Sequence, residues 1–149
     1  MWKHATSAML VLAMNAAGPA AAGDRQAVLM DGSYEVEVRL ELPHLEDAGV
    51  TKLETVCISN AKDGGSHGLA VLSDNNPLAR CPVSNVREEG GSLTFDVICE
   101  GRNAAKASAA YLLGSQQFRG RIAMTMGGKN MTMTETQIGR RIGDCAAAR

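Results

Sequence analysis

Aromatic side chains are scarce in this sequence, which contains one tryptophan, two tyrosines and two phenylalanines in 149 residues. Trp2 lies at the N-terminus, so the aromatic residues left to build a core are Tyr34, Phe95, Tyr111 and Phe118. Aromatic rings bury a large area per residue and dominate many small cores. Their scarcity means that other side chains must fill much of the interior.

The sequence also lacks a surplus of positive charge and a hydrophobic run long enough to span a membrane. Its formal net charge is −1, from 15 basic and 16 acidic residues. Nucleic-acid-binding domains carry a basic surplus, so this class is not favoured. The longest apolar stretch, Ala5 to Ala17, is shorter than the roughly 20 residues of a transmembrane helix. We therefore expect no nucleic-acid partner and no stable membrane span.

The same apolar stretch has the form of a secretion signal. A positively charged start, Met1 to His4, precedes it, and small residues follow at Ala20 and Ala22. Small residues at these two positions suit signal peptidase, so we expect cleavage after Ala22. Residues 1–22 are then a signal peptide and residues 23–149 a single domain. This interpretation predicts a periplasmic or secreted protein.

The cysteines support an oxidising compartment. An even number in a small exported domain indicates disulfides. A zinc site would use close pairs such as Cys-x-x-Cys, whereas these residues are scattered along the chain. We expect two disulfides among Cys57, Cys81, Cys99 and Cys145.

Period-two alternation of apolar and polar residues dominates the rest of the chain and predicts antiparallel strands. Between the second and third strands, Asn60 to Asn76 is polar and glycine-rich, with a short helical turn expected at Leu69 to Leu72. We predict an all-β domain, either a small up-and-down barrel or a strongly curved sheet. Its seven or so strands are Ser33–Leu42, Lys52–Ser59, Pro82–Glu88, Ser92–Glu100, Ala105–Leu113, Phe118–Met126 and Met131–Arg140.

The "EGG" sequence between the third and fourth strands predicts the disulfide pairing. A three-residue loop ending in glycine suits a type I turn followed by a bulge, which places Glu88 opposite Ser92. Continuing that register brings Cys81 opposite Cys99 and leaves Cys57 to pair with Cys145. A two-residue loop would shift the register by one residue and remove this argument.

Four methionines flank a "GGKN" turn before the last strand. If Met126 opposes Met131 and Met124 opposes Met133, all four sulfurs lie on one face. Thioethers are soft ligands that suit Cu(I), so a metal site is one interpretation. Methionine also fills irregular gaps in cores, and we favour this packing role, because no histidine lies nearby and the cysteines are expected to be oxidised. Lining of an apolar ligand pocket is a third possibility.

Several stretches, taken in order, resemble one family, the exported bacterial domain-of-unknown-function family 3617. They are "DGSYEVEVRLELP", "ETVCIS", "RCPVSNV", "LTFDVICEG", "YLLGSQQFRGRIAMTM" and "GRRIGDC". The last, Gly139 to Cys145, is the most specific, and Tyr34 stands where the family often has tryptophan. The resemblance implies a secreted, disulfide-bonded, mostly β domain and supplies no catalytic residue. It also implies that methionines before the last strand are common, which favours the packing role.

Few other residues carry recognisable chemistry. Arg140 and Arg141 are adjacent in a strand and must point to opposite faces; they are either a solvated pair or a site for an anion or a partner's carboxylate. His44 and His67 lie in predicted loops, and no nucleophile elbow is present. We therefore expect no catalysis and no cofactor.

Three functional hypotheses remain. The leading one is a non-enzymatic binding or accessory domain that recognises an apolar ligand or an envelope protein. The second is a periplasmic Cu(I)-handling protein that uses Met124, Met126, Met131 and Met133. The third is an inhibitor of a hydrolase that acts through a loop such as Asn60 to Asn76, by analogy of size, export and disulfides alone.

Overall fold

The structure is a computed structural model that describes residues 28–43, 49–61, 63–101, 104–127 and 131–146. The predicted signal peptide and His44 lie outside the described residues. The described chain contains seven strands and two short 3₁₀ helices. The strands are β1 (Gly32–Glu41), β2 (Val50–Ile58), β3 (Val83–Glu89), β4 (Ser92–Ile98), β5 (Lys106–Leu113), β6 (Gln117–Met126) and β7 (Met131–Gly143), and the helices are η1 (Asp63–Gly65) and η2 (Pro77–Arg80).

All seven strands form one antiparallel sheet in the order β2-β1-β7-β6-β5-β4-β3. Each strand pairs with its neighbours in sequence, and β1 also pairs with β7, as in an up-and-down barrel. The exception is that β2 and β3 do not pair, so the sheet remains open. The all-β prediction is confirmed, and the open, strongly curved sheet is the correct one of its two alternatives.

The segment that connects β2 to β3 covers the inner face of this sheet. Its apolar side chains Leu69, Val71 and Leu78 are at most 3% exposed and belong to the core. Residues 69–72 are not helical, contrary to the helical turn expected there. The apolar residues of this segment are explained by burial, because the inner face of an open sheet must be covered to exclude water.

The four aromatic residues form a continuous row in the core. Ring centroids are 5.8 Å apart from Phe95 to Tyr111, from Tyr111 to Phe118 and from Phe118 to Tyr34. Such offset and edge contacts add stability beyond the area that the rings bury. The scarce aromatics are therefore concentrated at one level of the sheet.

Glycines on neighbouring strands make room for two of these rings. Gly120 lies directly opposite Tyr111, and a Cβ atom at Gly120 would be 2.1 Å from the Tyr111 ring. Gly139 lies opposite Phe118, with the same distance to the Phe118 ring. The absence of a side chain at these two glycines lets the rings lie across the neighbouring strand.

The loop between β3 and β4 differs from its predicted form. It consists of two residues, Gly90 and Gly91, so that Glu89 rather than Glu88 opposes Ser92. Both glycines have positive φ, 60° and 76°, as in the type I′ turns that match the twist of a hairpin. The prediction of a three-residue loop was wrong.

A β-bulge in β3 nevertheless brings the predicted cysteines together. The register shifts between Ser84 and Arg87, where Asn85 has φ 54°. This shift by one residue compensates for the shorter loop. Cys81 and Cys99 form a disulfide with Cα atoms 5.2 Å apart.

The second disulfide joins Cys57 in β2 to Cys145, with Cα atoms 5.4 Å apart. Both bridges are those that the sequence analysis proposed. Because 88 positions separate Cys57 from Cys145, this bridge ties the C-terminal end of the described chain to the edge strand β2.

Candidate functional site

A groove of about 640 Å³ lies on the exposed face of the sheet. Its floor is formed by three short side chains that are directly opposed on neighbouring strands, Thr134, Ala123 and Ser108. At the two ends of this row lie the carboxylates of Glu41 and Asp96. The groove arises because short side chains occupy the middle of the row and longer ones surround it.

Both signs of charge line the groove. Arg121 Nη1 lies 3.8 Å from Glu41 Oε2, and Arg121 Nη2 donates a hydrogen bond to Thr134 Oγ1 at 3.3 Å. Lys106 stands on the other side of the floor. The apolar part of the lining includes Ile98. The groove can therefore hold a ligand that combines apolar groups with hydrogen-bonding groups.

The carboxylate of Asp96 is held by two neighbours. Asn85 Nδ2 and Ser108 Oγ each donate a hydrogen bond to it at 2.9 Å. These hydrogen bonds, that from Asn85 first, lower the pKa of Asp96. Asp96 therefore remains a negative charge at this end of the groove at neutral pH.

Met124 and Met133, which the sequence marked as candidates, also line this groove, whereas the residues of its floor and its charged side chains carried no functional signal in the sequence. Alternation along β6 and β7 does place Arg121, Ala123 and Thr134 on the polar face. What alternation does not show is which residues of five strands share one row, because that depends on the register between strands.

The inner face carries a polar network that the sequence analysis also missed. Glu135 is 0% exposed and Gln137 1%. The Glu135 carboxylate accepts hydrogen bonds from the backbone N–H groups of Leu72 at 2.8 Å and Ser73 at 2.9 Å. By period-two alternation, Glu135 and Gln137 lie on the same face as Met131 and Met133. This alternation was the signal in the sequence that could have placed the two polar residues on the inner face.

Gln137 extends this network to the aromatic row. Its Nε2 donates to Glu135 Oε1 at 2.6 Å and to the carbonyl of Ala70 at 2.8 Å, while Tyr111 donates its hydroxyl proton to Gln137 Oε1 at 2.9 Å. Burial, and next the negative charge of Glu135, raise the pKa of Tyr111 well above 10.0. The network fixes the covering segment to the sheet, and we assign it a structural role.

The methionine hairpin has the predicted register. Met124 opposes Met133 and Met126 opposes Met131. Met124 is 2% exposed and accepts a hydrogen bond on its sulfur from Asn76 Nδ2 at 3.2 Å. Met126 and Met133 are half-buried against the core, whereas Met131 is 54% exposed. Met124 is thus a core residue, Met126 and Met133 lie at the border of the core, and Met131 is exposed.

Arg140 and Arg141 point to opposite faces, as adjacent strand residues must. Arg140 is exposed and lies 3.5 Å from a carboxylate oxygen of Glu35. Arg141 is more buried; it donates to the carbonyl of Asp31 at 3.0 Å and to Asp144. Arg141 therefore ties the start of β1 to the end of β7, and Arg140 is the one that a partner could reach.

The segment proposed as an inhibitory loop is anchored at several points. His67 is buried, its Nε2 lies 2.7 Å from Glu88 Oε2, and its carbonyl accepts the backbone N–H of Ser59. The described residues of this segment that remain exposed include Asn60 and Asp74.

The described helical segments give no sign of a membrane span, since none is both long and apolar enough.

Comparison with known families shows which family the chain belongs to. Residues 14–145 match the family described as "Protein of unknown function (DUF3617)". The chain belongs to the DUF3617 family. The resemblance seen in the sequence is thereby confirmed. No curated protein and no solved structure matches this DUF3617 protein.

Proposed function

We propose that this DUF3617 protein is a non-enzymatic binding domain that acts outside the cytoplasm and holds an extended segment of another envelope protein in its exposed groove. The observation that carries the proposal is the groove of about 640 Å³, a volume typical of ligand sites. Two disulfides within a small domain support the location, because such bridges persist in oxidising compartments.

The inner face is a poor alternative for the ligand. It is filled by the aromatic row and the covering segment, and its network residues are satisfied by hydrogen bonds within the chain. The groove, in contrast, offers the hydroxyls of Ser108 and Thr134 between two carboxylates and two cationic side chains. Ser108 Oγ donates its proton to Asp96 and can still accept an N–H group of an extended peptide. Thr134 Oγ1 accepts from Arg121 and keeps its proton to donate to a C=O group.

Photocrosslinking in cells tests this proposal. A photoreactive phenylalanine analogue at position 123, on the groove floor, should form a covalent adduct with a discrete envelope protein. The same analogue at Leu112, which is 67% exposed on the same face but outside the groove, is the control. The adduct should disappear when Arg121→Glu is added. Equal adducts at both positions, or a small-molecule adduct in place of a protein, would contradict the proposal.

A second candidate function is Cu(I) binding, favoured by the four methionines on one face of the β6–β7 hairpin. Thioether ligands suit Cu(I), and three of the side chains are not fully buried. Replacing Met124, Met126, Met131 and Met133 together by leucine should keep the fold and abolish Cu(I) binding, measured by competition with a colorimetric Cu(I) chelator. If the original protein does not compete with the chelator, this candidate is excluded.

A further inference from the structure

The two edges of the sheet differ in regularity. Strand β3 contains the bulge near Asn85 and follows Pro82, and bulges and prolines are features that protect edges from pairing. Strand β2 pairs with β1 without a break from Val50 to Ile58. No other described strand pairs with β2, so its outer N–H and C=O groups form a regular edge.

The first seven residues of β2, Val50 to Val56, are self-complementary about Leu53. Lys52 and Glu54 flank this residue and share the inner face, because they oppose Val38 and Val36 of β1. Within one copy the Lys52 ammonium lies 2.8 Å from Glu54 and 2.6 Å from Asp74, so a contact with Glu54 of the second copy adds to these pairs. One step further out are two threonines, and beyond them two valines; these are Thr51 with Thr55, and Val50 with Val56. A strand of this pattern meets its own reversed copy with like residues opposite like, except that lysine meets glutamate.

We propose that two copies of this protein pair through β2 in antiparallel register, with Leu53 of each copy opposite Leu53 of the other. A two-fold axis through this position places Lys52 of each copy opposite Glu54 of the second copy. The two copies of a two-fold dimer use the same surface, so the contact between Lys52 and Glu54 forms twice. The two sheets become one continuous sheet.

The exposed apolar side chains of β2 and the charges of Lys52 and Glu54 both favour this register. Leu53 and Val50 are 65% and 67% exposed, and pairing covers both, with Val50 opposite Val56. A slip by two residues in either direction would place Lys52 opposite Lys52 or Glu54 opposite Glu54, and like charges directly opposite are destabilising. Charges of one sign on an edge strand would protect against pairing, but the two signs here complement each other.

The disulfide at the end of β2 also fits this register. Cys57 is exposed and bonded to Cys145, and the proposed pairing places it opposite Gly49 of the second copy. Glycine has no side chain to collide with the sulfurs. The inference is independent of the groove, which lies on β4 to β7 and the end of β1.

Charge exchange between two variants tests the proposal. The full-length protein, with both disulfides formed, should show a concentration-dependent dimer in sedimentation velocity. Lys52→Glu alone and Glu54→Lys alone each create like-charge pairs, so each should raise the dissociation constant by roughly tenfold or more. Mixing the two variants restores opposite charges at every pair, and a heterodimer of near original affinity should form. This recovery also shows that both variants are folded.

A cysteine at Leu53, on the proposed two-fold axis, tests the register. Opposed residues in an antiparallel pair have Cα atoms about 4.5–5.5 Å apart, which a disulfide can bridge. Leu53→Cys should therefore form a covalent dimer on oxidation, whereas Leu112→Cys, equally exposed on a central strand, should not. A monomer at every concentration, a failure of mixing to restore the dimer, or equal crosslinking of both variants would overturn the proposal.

Discussion

The carboxylate of Glu135 accepts a hydrogen bond from the backbone N–H of Ser73, 2.9 Å away, although the two residues lie 62 positions apart in the chain. The second carboxylate oxygen accepts the N–H of Leu72. One buried side chain on β7 thus satisfies two consecutive backbone donors of the covering segment. This contact explains how residues 69–73, which belong to no helix or strand, are held against the sheet.

Glu135→Gln should lower the free energy of unfolding by about 1–3 kcal/mol, because an amide has one acceptor oxygen and its NH₂ group would face a backbone donor. Urea denaturation measures the change. Glu37→Gln, at an exposed position on the opposite face, is the matched control and should change stability by no more than about 0.5 kcal/mol. Equal effects of the two substitutions would show that the network contributes nothing specific.

Tyr111→Phe should make stability less sensitive to alkaline pH. The pKa of Tyr111 is raised in the folded protein, so folding favours the protonated form. This contribution is complete below pH 10 and is lost as the pH rises from the unfolded pKa of Tyr111 through its raised folded pKa. Phenylalanine should therefore give a shallower loss of stability above pH 10 in urea titrations at increasing pH.

The same substitution removes the hydrogen bond to Gln137, so the variant should also be less stable at neutral pH, by about 1–3 kcal/mol. The two effects are separable, because only the slope against pH reports the ionisation. An unchanged slope would mean that the phenol does not titrate differently in the folded and unfolded states.

Gly120→Ala should destabilise the protein by about 1–3 kcal/mol, the usual cost of overpacking, because the new Cβ would collide with the Tyr111 ring. A double-mutant cycle with Tyr111→Leu supplies the control. Removing the ring removes the collision, so the two changes together should cost less than their sum. Strict additivity in thermal or urea unfolding would contradict the proposed packing of ring against glycine.

Met124→Ala and Met131→Ala should differ sharply, although both residues belong to one hairpin. Met124 is 2% exposed, and truncation of a buried methionine costs about 2–5 kcal/mol. Met131 is 54% exposed, so its truncation should change stability by less than about 0.5 kcal/mol. Urea unfolding without metal measures both. Similar losses at the two positions would mean that the methionines act as one packed cluster.

Much of the fold could be predicted because its determinants are local. Alternation along a strand is a property of neighbouring residues, and it was enough to locate seven strands within one or two residues at most ends. It also assigned the faces, including the opposition of Met124 to Met133. The candidate groove could not be predicted in this way. Glu41 and Asp96 lie at the two ends of one row only because five strands pair in a particular register.

The disulfide hairpin shows how local inference and packing divide the problem. The register that follows from a three-residue loop predicted that Cys81 meets Cys99. The loop is one residue shorter than this, and the bulge at Asn85 restores the predicted register. A bulge depends on how β3 packs against β4 and is not visible as a pattern in the chain. Alternation thus set the strands and their faces, because these depend on neighbours along the chain. Packing between distant segments alone decided that the sheet stays open, that Glu135 is buried beneath Ser73 and that β2 is left as a regular edge, because each of these depends on contacts that no single stretch of sequence contains.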